Sequence, residues 1–407
     1  MTTPPMTTRA GREPLIRPPR LQVEREGGAS RLELFFDLAY VLVVLELAKV
    51  FYADLTLHGL LVLTGLFVAI WVSWVGFTLY ANRFDTDDVV FRVVKLAATA
   101  AVALCAASAG EAVGKYAVPF AASFLVGRVL LLLLHLRAWR HVRQARPTIR
   151  FYLLSVGVSA LLWAVSLATP GETRYWLWAV AVLVDALGPV LATLGRDSLP
   201  LHIEHLPERF GLLIIIVLGE ALGGVVRGVH DASWAGSALA VGVAGLVLAA
   251  SLWWVYFDVA AESSADRLEQ VEEEEEETAE DTDSDPAASD ERHDLFVYGH
   301  LPLALGTVLV GVSLEDLIVH RDSAEPWVLA AGLCLFLAGT TMIIAGTARS
   351  WAAVWPWPTA FVPVVVALCL LIPSALVLVV TAAAVVLLLA VHGTIASRNP
   401  GTELSGA

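Results

Sequence analysis

The stretch RLELFFDLAYVLVVLELAKVF at residues 31–51 is as long as a membrane span and mostly apolar, yet two of its three carboxylates, Glu33 and Asp37, lie one helical turn apart near its start. About 20 apolar residues let a helix cross the hydrocarbon core of a bilayer. Residues four apart share one face of a helix, so the sequence predicts a membrane helix with a carboxylate-bearing stripe, which Tyr40 continues. Glu46 lies three-quarters along this segment, roughly opposite Asp37 around the helix axis.

The whole chain shares this apolar character. Hydrophobic residues make up 57% of the 407 positions and charged residues 16%, whereas a soluble domain is about 45–50% apolar and about 25% charged. The composition argues against an ordinary cytosolic enzyme and predicts an all-α fold, a polytopic transmembrane helical bundle of about 10–12 spans. The apolar segments lie near residues 34–53, 57–81, 90–113, 117–136, 151–169, 175–195, 210–229, 234–257, 295–318, 326–347, 351–372 and 374–396.

The last two of these segments are the least clearly separated. Pro356, Pro358, Pro363 and Pro373 interrupt the region. Because proline disrupts a helix interior, these residues could form one span plus a re-entrant piece instead of two spans.

The formal net charge of −14 belongs to one segment rather than to the fold. Residues 258–294 hold 17 of the 40 acidic residues and 2 of the 26 basic ones, which leaves 23 acidic and 24 basic residues elsewhere. A self-repelling acidic stretch is expected to be a disordered linker. We therefore divide the chain into a disordered basic arm (1–30), helices one to eight (31–258), an acidic disordered cytoplasmic loop (259–294), helices nine to twelve (295–397) and a C-terminal tail (398–407).

Basic residues in alternate connections predict the orientation of the bundle. The N-terminal arm and the second, fourth and sixth connections carry most of the arginines, whereas the odd-numbered connections hold single basic residues such as Lys115, Arg174 and Arg227. Short connections rich in Lys and Arg stay in the cytoplasm. The N-terminus is therefore predicted to be cytoplasmic, and with twelve spans the C-terminus is cytoplasmic too.

Arg128, near the middle of the fourth segment, and Asp185, in the middle of the sixth, are the most informative charges. An ionisable group at this depth costs at least about 2.5–3.5 kcal/mol on insertion scales and needs a partner or a wet cavity. We expect the two to form an ion pair, which is either structural or part of a site for substrate or protons. Arg92 and Lys95, about one turn inside the third segment, either snorkel to the cytoplasmic surface or pair with Asp37 or Asp185.

The seventh segment also carries charges at membrane depth. HIEHLPERFGLLIIIVLGEALGGVV begins with Glu208 and Arg209 at the cytoplasmic start of the helix. Glu220 follows about 16 Å deeper by helix rise. Glycines around Glu220 permit close helix packing.

The ninth segment carries three further ionisable groups. His300, about one turn inside it, is either a hydrogen-bonded core residue or a proton shuttle. Glu315 and Asp316 approach the external end, and we expect at least one of them to be exposed at the surface.

No standard catalytic or cofactor motif is present in the sequence, since GxxxxGK[ST], HExxH, CxxC and GxSxG are all absent. His202 and His205 are too few and too close together to predict a metal site. Cys105, Cys334 and Cys369 lie in apolar runs without a pairing pattern. We predict no catalytic residue, no metal and no cofactor, and no basic domain for nucleic acid. The expected partners are the lipid bilayer and a small solute or ion.

Three stretches place polar groups in unusually apolar surroundings: ELFFDLAYV at 33–41, HLPERFGLLIIIVLGE at 205–220 and YGHLPLALG at 298–306. Together they resemble the bacterial low temperature requirement protein A (LtrA) family, with weaker support from NRFDTDDVVFR at 82–92, GRVLLLLLHLRA at 127–138 and WWVYFD at 253–258. The resemblance implies a multi-pass protein of the bacterial cytoplasmic (inner) membrane. It implies no known reaction, because the family is named after a growth phenotype. The family's motif positions fall on Glu33, Phe36, Asp37, Glu208, Arg209, Gly211, Gly219, Glu220 and His300.

The expected function is translocation of protons, ions or a small polar solute through a polar core. The candidate residues of that core are Glu33, Asp37, Arg92, Arg128, Asp185, Glu208, Arg209, Glu220 and His300. One alternative is an intramembrane enzyme that binds a lipid-linked substrate through the carboxylates and arginines at the cytoplasmic side. The other is a membrane scaffold or temperature-stress protein whose buried charges are purely structural. An enzyme is the less expected of these classes.

Overall fold

The computed structural model describes residues 15–21, 30–85, 87–194, 206–261, 286–347 and 356–398. Within these ranges the chain forms twelve α-helices, which confirms the predicted all-α bundle. The helices are α1 (Arg31–Tyr52), α2 (Leu57–Arg83), α3 (Val89–Ala109), α4 (Ala117–His141), α5 (Arg146–Ala168), α6 (Thr173–Leu194), α7 (Leu206–Asp231), α8 (Gly236–Trp254), α9 (Pro286–Val319), α10 (Pro326–Thr347), α11 (Pro356–Leu371) and α12 (Ala375–Arg398).

Ten of these helices are long and apolar enough to cross a membrane, in the part of the chain that the structure describes. The other two are α1, which has 22 residues but carries five charged ones, and α11, which has 16 residues. The helices therefore agree with the predicted range of spans. α9 begins at Pro286, inside the range 259–294 that the sequence analysis assigned to a loop.

α9 lies at the centre of the bundle. In its apolar stretch 78% of the residues are buried, against 22% in α6 at the periphery. Glycines make the tight packing around α9 possible: a Cβ atom on Gly306 would lie only 2.5 Å from the carbonyl oxygen of Gly332 on α10. Small residues allow backbones to approach this closely in membranes, where packing rather than the hydrophobic effect holds helices together.

The outward faces of the helices are apolar. Leu104 on α3, Leu154 and Leu161 on α5 and Leu388 on α12 are all exposed. A soluble monomer rarely presents so much exposed apolar surface. These faces are therefore suited to contact with lipid, as in a multi-pass membrane protein.

A short N-terminal segment, residues 15–21, is held against the ends of α2, α3 and α4. Strand β1 (Arg20–Leu21) pairs in antiparallel fashion with strand β2 (Phe84–Asp85). The Arg17 N–H donates to Asp88 Oδ2 at 3.3 Å, and Arg137 on α4 donates to the same carboxylate at 2.6 Å. This segment differs from the prediction of a disordered arm over 1–30, because Asp88 gives its backbone a partner that the basic composition did not reveal. The rest of that arm lies outside the described residues.

Candidate functional site

The first turn of α1 is connected to α7 by an ion pair. Ser30 caps α1: its hydroxyl accepts from the Glu33 N–H at 3.3 Å, and its own N–H donates to Glu33 Oε2 at 2.9 Å. This reciprocal capping box fixes the Glu33 carboxylate. The remaining oxygen, Oε1, accepts a hydrogen bond from Arg209 Nη1 on α7. Glu33, near the start of α1, is thereby paired with Arg209, near the start of α7.

Asp37, one turn further along α1, is completely buried beside the same arginine. Its Oδ1 accepts from Trp74 Nε1 on α2 at 2.7 Å and lies 3.6 Å from Arg209 Nη2. Its Oδ2 has no hydrogen-bond partner among the described residues. Asp37 is thus held on one side only, which leaves one carboxylate oxygen available inside the protein.

Lys95 on α3 is the second cation of this region and is 0% exposed. Its Nζ lies 3.6 Å from the centroid of the Phe36 ring and interacts electrostatically with Arg209, Asp37 and Glu33. No described residue accepts a hydrogen bond from it. Snorkelling is therefore wrong for Lys95, because its aliphatic chain runs into the bundle and a cation–π contact stabilises the amine there. We call Glu33, Asp37, Lys95 and Arg209 the α1–α7 cluster.

The predicted pair of Arg128 on α4 and Asp185 on α6 is present. Arg128 Nη1 donates to Asp185 Oδ2 at 2.8 Å, and Ser159 on α5 donates to the same oxygen at 3.1 Å. Both charged side chains are almost fully buried, with 1% and 2% of their surface exposed. We call Arg128 and Asp185 the α4–α6 pair.

Glu220 on α7 belongs to a third group that the sequence did not predict. Arg227, seven residues further along α7, donates to Glu220 Oε1 at 2.5 Å and to Glu315 Oε2 on α9 at 2.7 Å. One arginine thus pairs with two carboxylates from different helices. We call Glu220, Arg227 and Glu315 the α7–α9 triad.

Close packing of α7 against α9 explains why these three side chains meet. A Cβ atom on Gly224 would lie 2.1 Å from the carbonyl oxygen of Gly311, so the two backbones are in contact at this point. Gly224 lies between Glu220 and Arg227 in α7, and Gly311 precedes Glu315 by one turn in α9. The contact therefore positions all three members of the triad.

His300 on α9 is a hydrogen-bonded core residue. Its Nδ1 lies 2.7 Å from the Phe296 carbonyl oxygen and its Nε2 lies 3.0 Å from the Tyr256 hydroxyl. Because a carbonyl only accepts, Nδ1 donates to it, and Nε2 of the neutral ring accepts from Tyr256. Both ring nitrogens thus have hydrogen-bond partners, as expected for a core residue rather than for a proton shuttle.

Besides His300, two of the nine candidate residues, Arg92 and Glu208, lie outside the three buried groups. Arg92 pairs with Asp87 at 2.8 Å on the exposed surface, so its predicted alternative pairing with Asp37 or Asp185 is wrong. Its position at the start of α3 keeps the guanidinium outside the bundle. Glu208, in the first turn of α7, is exposed.

Sequence reasoning missed several residues of these groups. It counted Arg227 with a loop, although α7 continues to Asp231. It expected surface exposure for at least one of Glu315 and Asp316, but both are buried. Asp316 instead accepts from His320 at 2.8 Å and from the Glu325 N–H at 2.7 Å. A charge on the last turn of an apolar helix gives no sign of whether a neighbouring helix covers it.

The described residues include no group of three or more His, Cys, Asp or Glu side chains that could hold a metal ion. A bundle of long apolar helices with ion pairs buried between them defines a multi-pass membrane protein. The sequence matches the family described as bacterial low temperature requirement A protein (LtrA) over residues 28–391, and the chain belongs to this family.

One curated relative is a protein of Rhizobium meliloti (strain 1021) described as uncharacterized protein RA0937. It is 28% identical over 333 residues, which cover 77% of this chain and 76% of that protein. No solved structure matches the chain. The comparisons thus confirm the resemblance drawn from the three motif stretches.

Proposed function

We propose that this protein translocates protons across the bacterial cytoplasmic membrane, either in exchange for a small ion or together with one. The α7–α9 triad and the α1–α7 cluster serve as two proton-binding sites along α7. Membership of the LtrA family supports a multi-pass membrane protein. The charged groups buried between its helices support the proposed translocation of protons.

The sharing of Arg227 between two buried carboxylates is the observation that carries the proposal. Glu220 and Glu315 bring two negative charges to one guanidinium, which leaves an excess of one negative charge when both are ionised. A structural ion pair needs no excess charge, and an uncompensated charge on the buried carboxylates of Glu220 and Glu315 is costly. One bound proton would remove the excess. The triad is therefore suited to take up and release a proton.

α7 links this triad to the second site. Arg209 and Glu220 are eleven residues apart in one helix, about 16 Å by helix rise. The α1–α7 cluster contains two carboxylates and two cations. Asp37 Oδ2 and Lys95 Nζ have no hydrogen-bond partner in the described ranges. Groups of this kind are typical of proton relays in membrane proteins.

Proton flux into proteoliposomes, followed with an internal pH-sensitive dye under an imposed pH gradient, tests the proposal. We expect Glu220→Gln to lower the flux at least tenfold, because glutamine keeps the size of the side chain but cannot bind the proton. Glu46→Gln is the matched control, since Glu46 lies in a surface pair with Lys49 and should be dispensable. Flux at the level of empty liposomes for the wild type, or equal flux for wild type and Glu220→Gln, would refute the proposal and favour a structural role for the triad.

A further inference from the structure

A small cavity adjoins the α4–α6 pair in the middle of the bundle. It has a volume of about 20 Å³ and is lined by residues of α2, α4, α5, α6 and α9, among them Arg128, Asp185, Trp71, Tyr152 and Tyr298. A cavity needs at least about 10–15 Å³, measured in this way, to hold one water molecule. The space therefore fits a single species about as large as a water molecule.

Donor groups dominate the polar lining of this cavity. Arg128 Nε and Nη2 and Trp71 Nε1 are buried without hydrogen-bond partners in the ranges that the structure describes. Tyr152 accepts from Arg83 at 2.7 Å, so its own hydroxyl hydrogen remains to donate. Asp185 accepts from Arg128 and Ser159 through Oδ2 alone, so its Oδ1 is the oxygen that can carry a proton. Unpaired buried donors are costly, and this set calls for a species that accepts.

We propose that this cavity binds one halide ion of the size of chloride, held by Arg128, Trp71 and Tyr152. This inference rests on the proposed function, for which it names the ion that moves together with protons. A halide accepts from several donors at once and needs no fixed direction. It also matches the positive charge of Arg128, which arginine cannot lose.

The surroundings of Tyr152 offer a path to this site. Tyr152 also lines a second cavity of about 10 Å³, together with Arg83 and His135. Further positive charge lies nearby, since Arg143 lies in the turn that follows α4, and Arg146 and Arg150 lie in the first two turns of α5. A cluster of like charges raises the local concentration of counter-ions, so anions are favoured at this end of α4 and α5.

Charge balance couples the halide to a proton. Arg128 and Asp185 compensate each other, so a bound halide leaves an excess of one negative charge unless Asp185 takes up a proton. The titratable and charged groups around the pair are Tyr40 on α1, Arg83 on α2, Cys105 on α3, His135 on α4, Tyr152 on α5 and Tyr298 on α9. Asp185 is the carboxylate in contact with Arg128 and thus the group expected to accept the proton.

Titration of the purified full-length protein in detergent with sodium chloride tests the site, with sodium gluconate at the same ionic strength as the anion too large for the cavity. Tryptophan fluorescence and melting temperature are the readouts. We expect chloride to give a saturable change in both, and gluconate none. Since ligand binding to the folded state stabilises it, the melting temperature should rise with chloride concentration.

Trp71→Phe should weaken chloride binding at least fivefold, because it removes one donor from the cavity. Trp163→Phe is the matched control: the Trp163 indole N–H is equally buried and lacks a partner among the described residues, but it does not line the cavity.

The affinity for chloride should also depend on pH. As the pH rises, the apparent Kd for chloride should increase about tenfold per pH unit, because each halide binds together with one proton. The double variant Arg128→Gln with Asp185→Asn, which removes both charges together, should abolish binding.

Equal responses to chloride and gluconate, or equal binding by the two tryptophan variants, would overturn the inference and assign the cavity to a water molecule. Chloride binding that does not depend on pH would overturn the coupling to a proton. These results are separable from the proposed function, because binding is measured in detergent and proton flux in liposomes. Failure of halide binding with intact proton flux refutes the site alone, whereas binding without flux refutes the translocation.

Discussion

Asp88 shows how much one carboxylate can organise at the end of a helix. It caps α3 by accepting from the Phe91 N–H at 3.1 Å, and it accepts from both Arg137 and the Arg17 N–H. Burial alone would raise the pKa of Asp88. The hydrogen bonds from Arg137, and those from the backbone of Phe91 and Arg17, outweigh burial and hold this pKa below its ordinary value.

We expect Asp88→Asn to lower the free energy of unfolding by about 1 kcal/mol at pH 7, because asparagine still caps a helix but loses the charge-assisted bond to Arg137. A carboxyl with a lowered pKa in the folded state stabilises the fold above its unfolded pKa, near 3.9, and loses this contribution as the pH falls through the folded pKa. The difference between wild type and variant in melting temperature should therefore be constant from pH 7 to pH 5 and shrink below pH 4.

Two further measurements check this prediction. Trypsin should cleave the variant faster than the wild type after Arg20, since the segment loses one of its partners. Asp87→Asn is the control, because Asp87 lies at the surface in a pair with Arg92. A difference between wild type and Asp88→Asn that grows below pH 4 would contradict the assignment.

Single residues also show which contacts a sequence can predict. Arg128 and Asp185 could be paired in advance, because each is an isolated charge in an otherwise apolar helix and few partners exist at that depth. The contact of Glu33 with Arg209 could not be derived in the same way, since 176 residues separate them and several charges lie at similar depth. The burial of Lys95 depends on the Phe36 ring of another helix, which no helical periodicity reveals.

At the scale of elements, the contact between α7 and α9 determines the α7–α9 triad. Gly224→Ala should drive these helices apart, because its Cβ atom would lie 2.1 Å from the Gly311 carbonyl oxygen. Overpacking of this kind costs about 1–3 kcal/mol. We expect a lower melting temperature and at least a tenfold loss of proton flux.

Gly219→Ala is the matched control for that variant. Gly219 lies in the same helix, and nothing lies within 4 Å of a Cβ atom placed there. This substitution should leave both melting temperature and flux unchanged. Equal melting temperature and flux of the two alanine variants would show that the spacing of α7 and α9 does not determine the geometry of the α7–α9 triad.

The positions of the helices in the sequence were largely predictable, whereas the contacts between helices were not. Long apolar runs require helices in a bilayer, since each backbone polar group must be satisfied within its segment. Helix ends depend on local partners instead, as at α9, whose Pro286 start lies in acidic sequence that composition alone assigns to a loop. Which helix lies at the centre depends on the pairing of glycines such as Gly306 and Gly332 from distant segments.

At the scale of the whole molecule, the orientation remains a prediction from the arginine-rich connections. Reporter fusions that are active only in the cytoplasm should be active after residue 270, between α8 and α9, and inactive after Lys115, between α3 and α4. The reverse pattern would contradict the predicted cytoplasmic N-terminus.

A fusion after residue 398 decides whether α11 crosses the membrane. Its 16 residues span about 24 Å by helix rise, less than the roughly 30 Å of the hydrocarbon core. With a cytoplasmic N-terminus, activity of this fusion in the cytoplasm indicates that α11 and α12 both cross, and activity outside indicates one crossing plus a re-entrant piece.

The two arginines of α7 have a consequence for the energetics of the membrane itself. Arg209 and Arg227 lie 18 residues apart, about 27 Å by helix rise, so they are close to opposite faces of the hydrocarbon core. Arginine keeps its charge under all ordinary conditions. A displacement of α7 along the membrane normal therefore moves fixed charge through the electric field, at about 2.3 kcal/mol per elementary charge and 100 mV. A conformational change that moves these arginines without an equal number of carboxylates therefore depends on voltage.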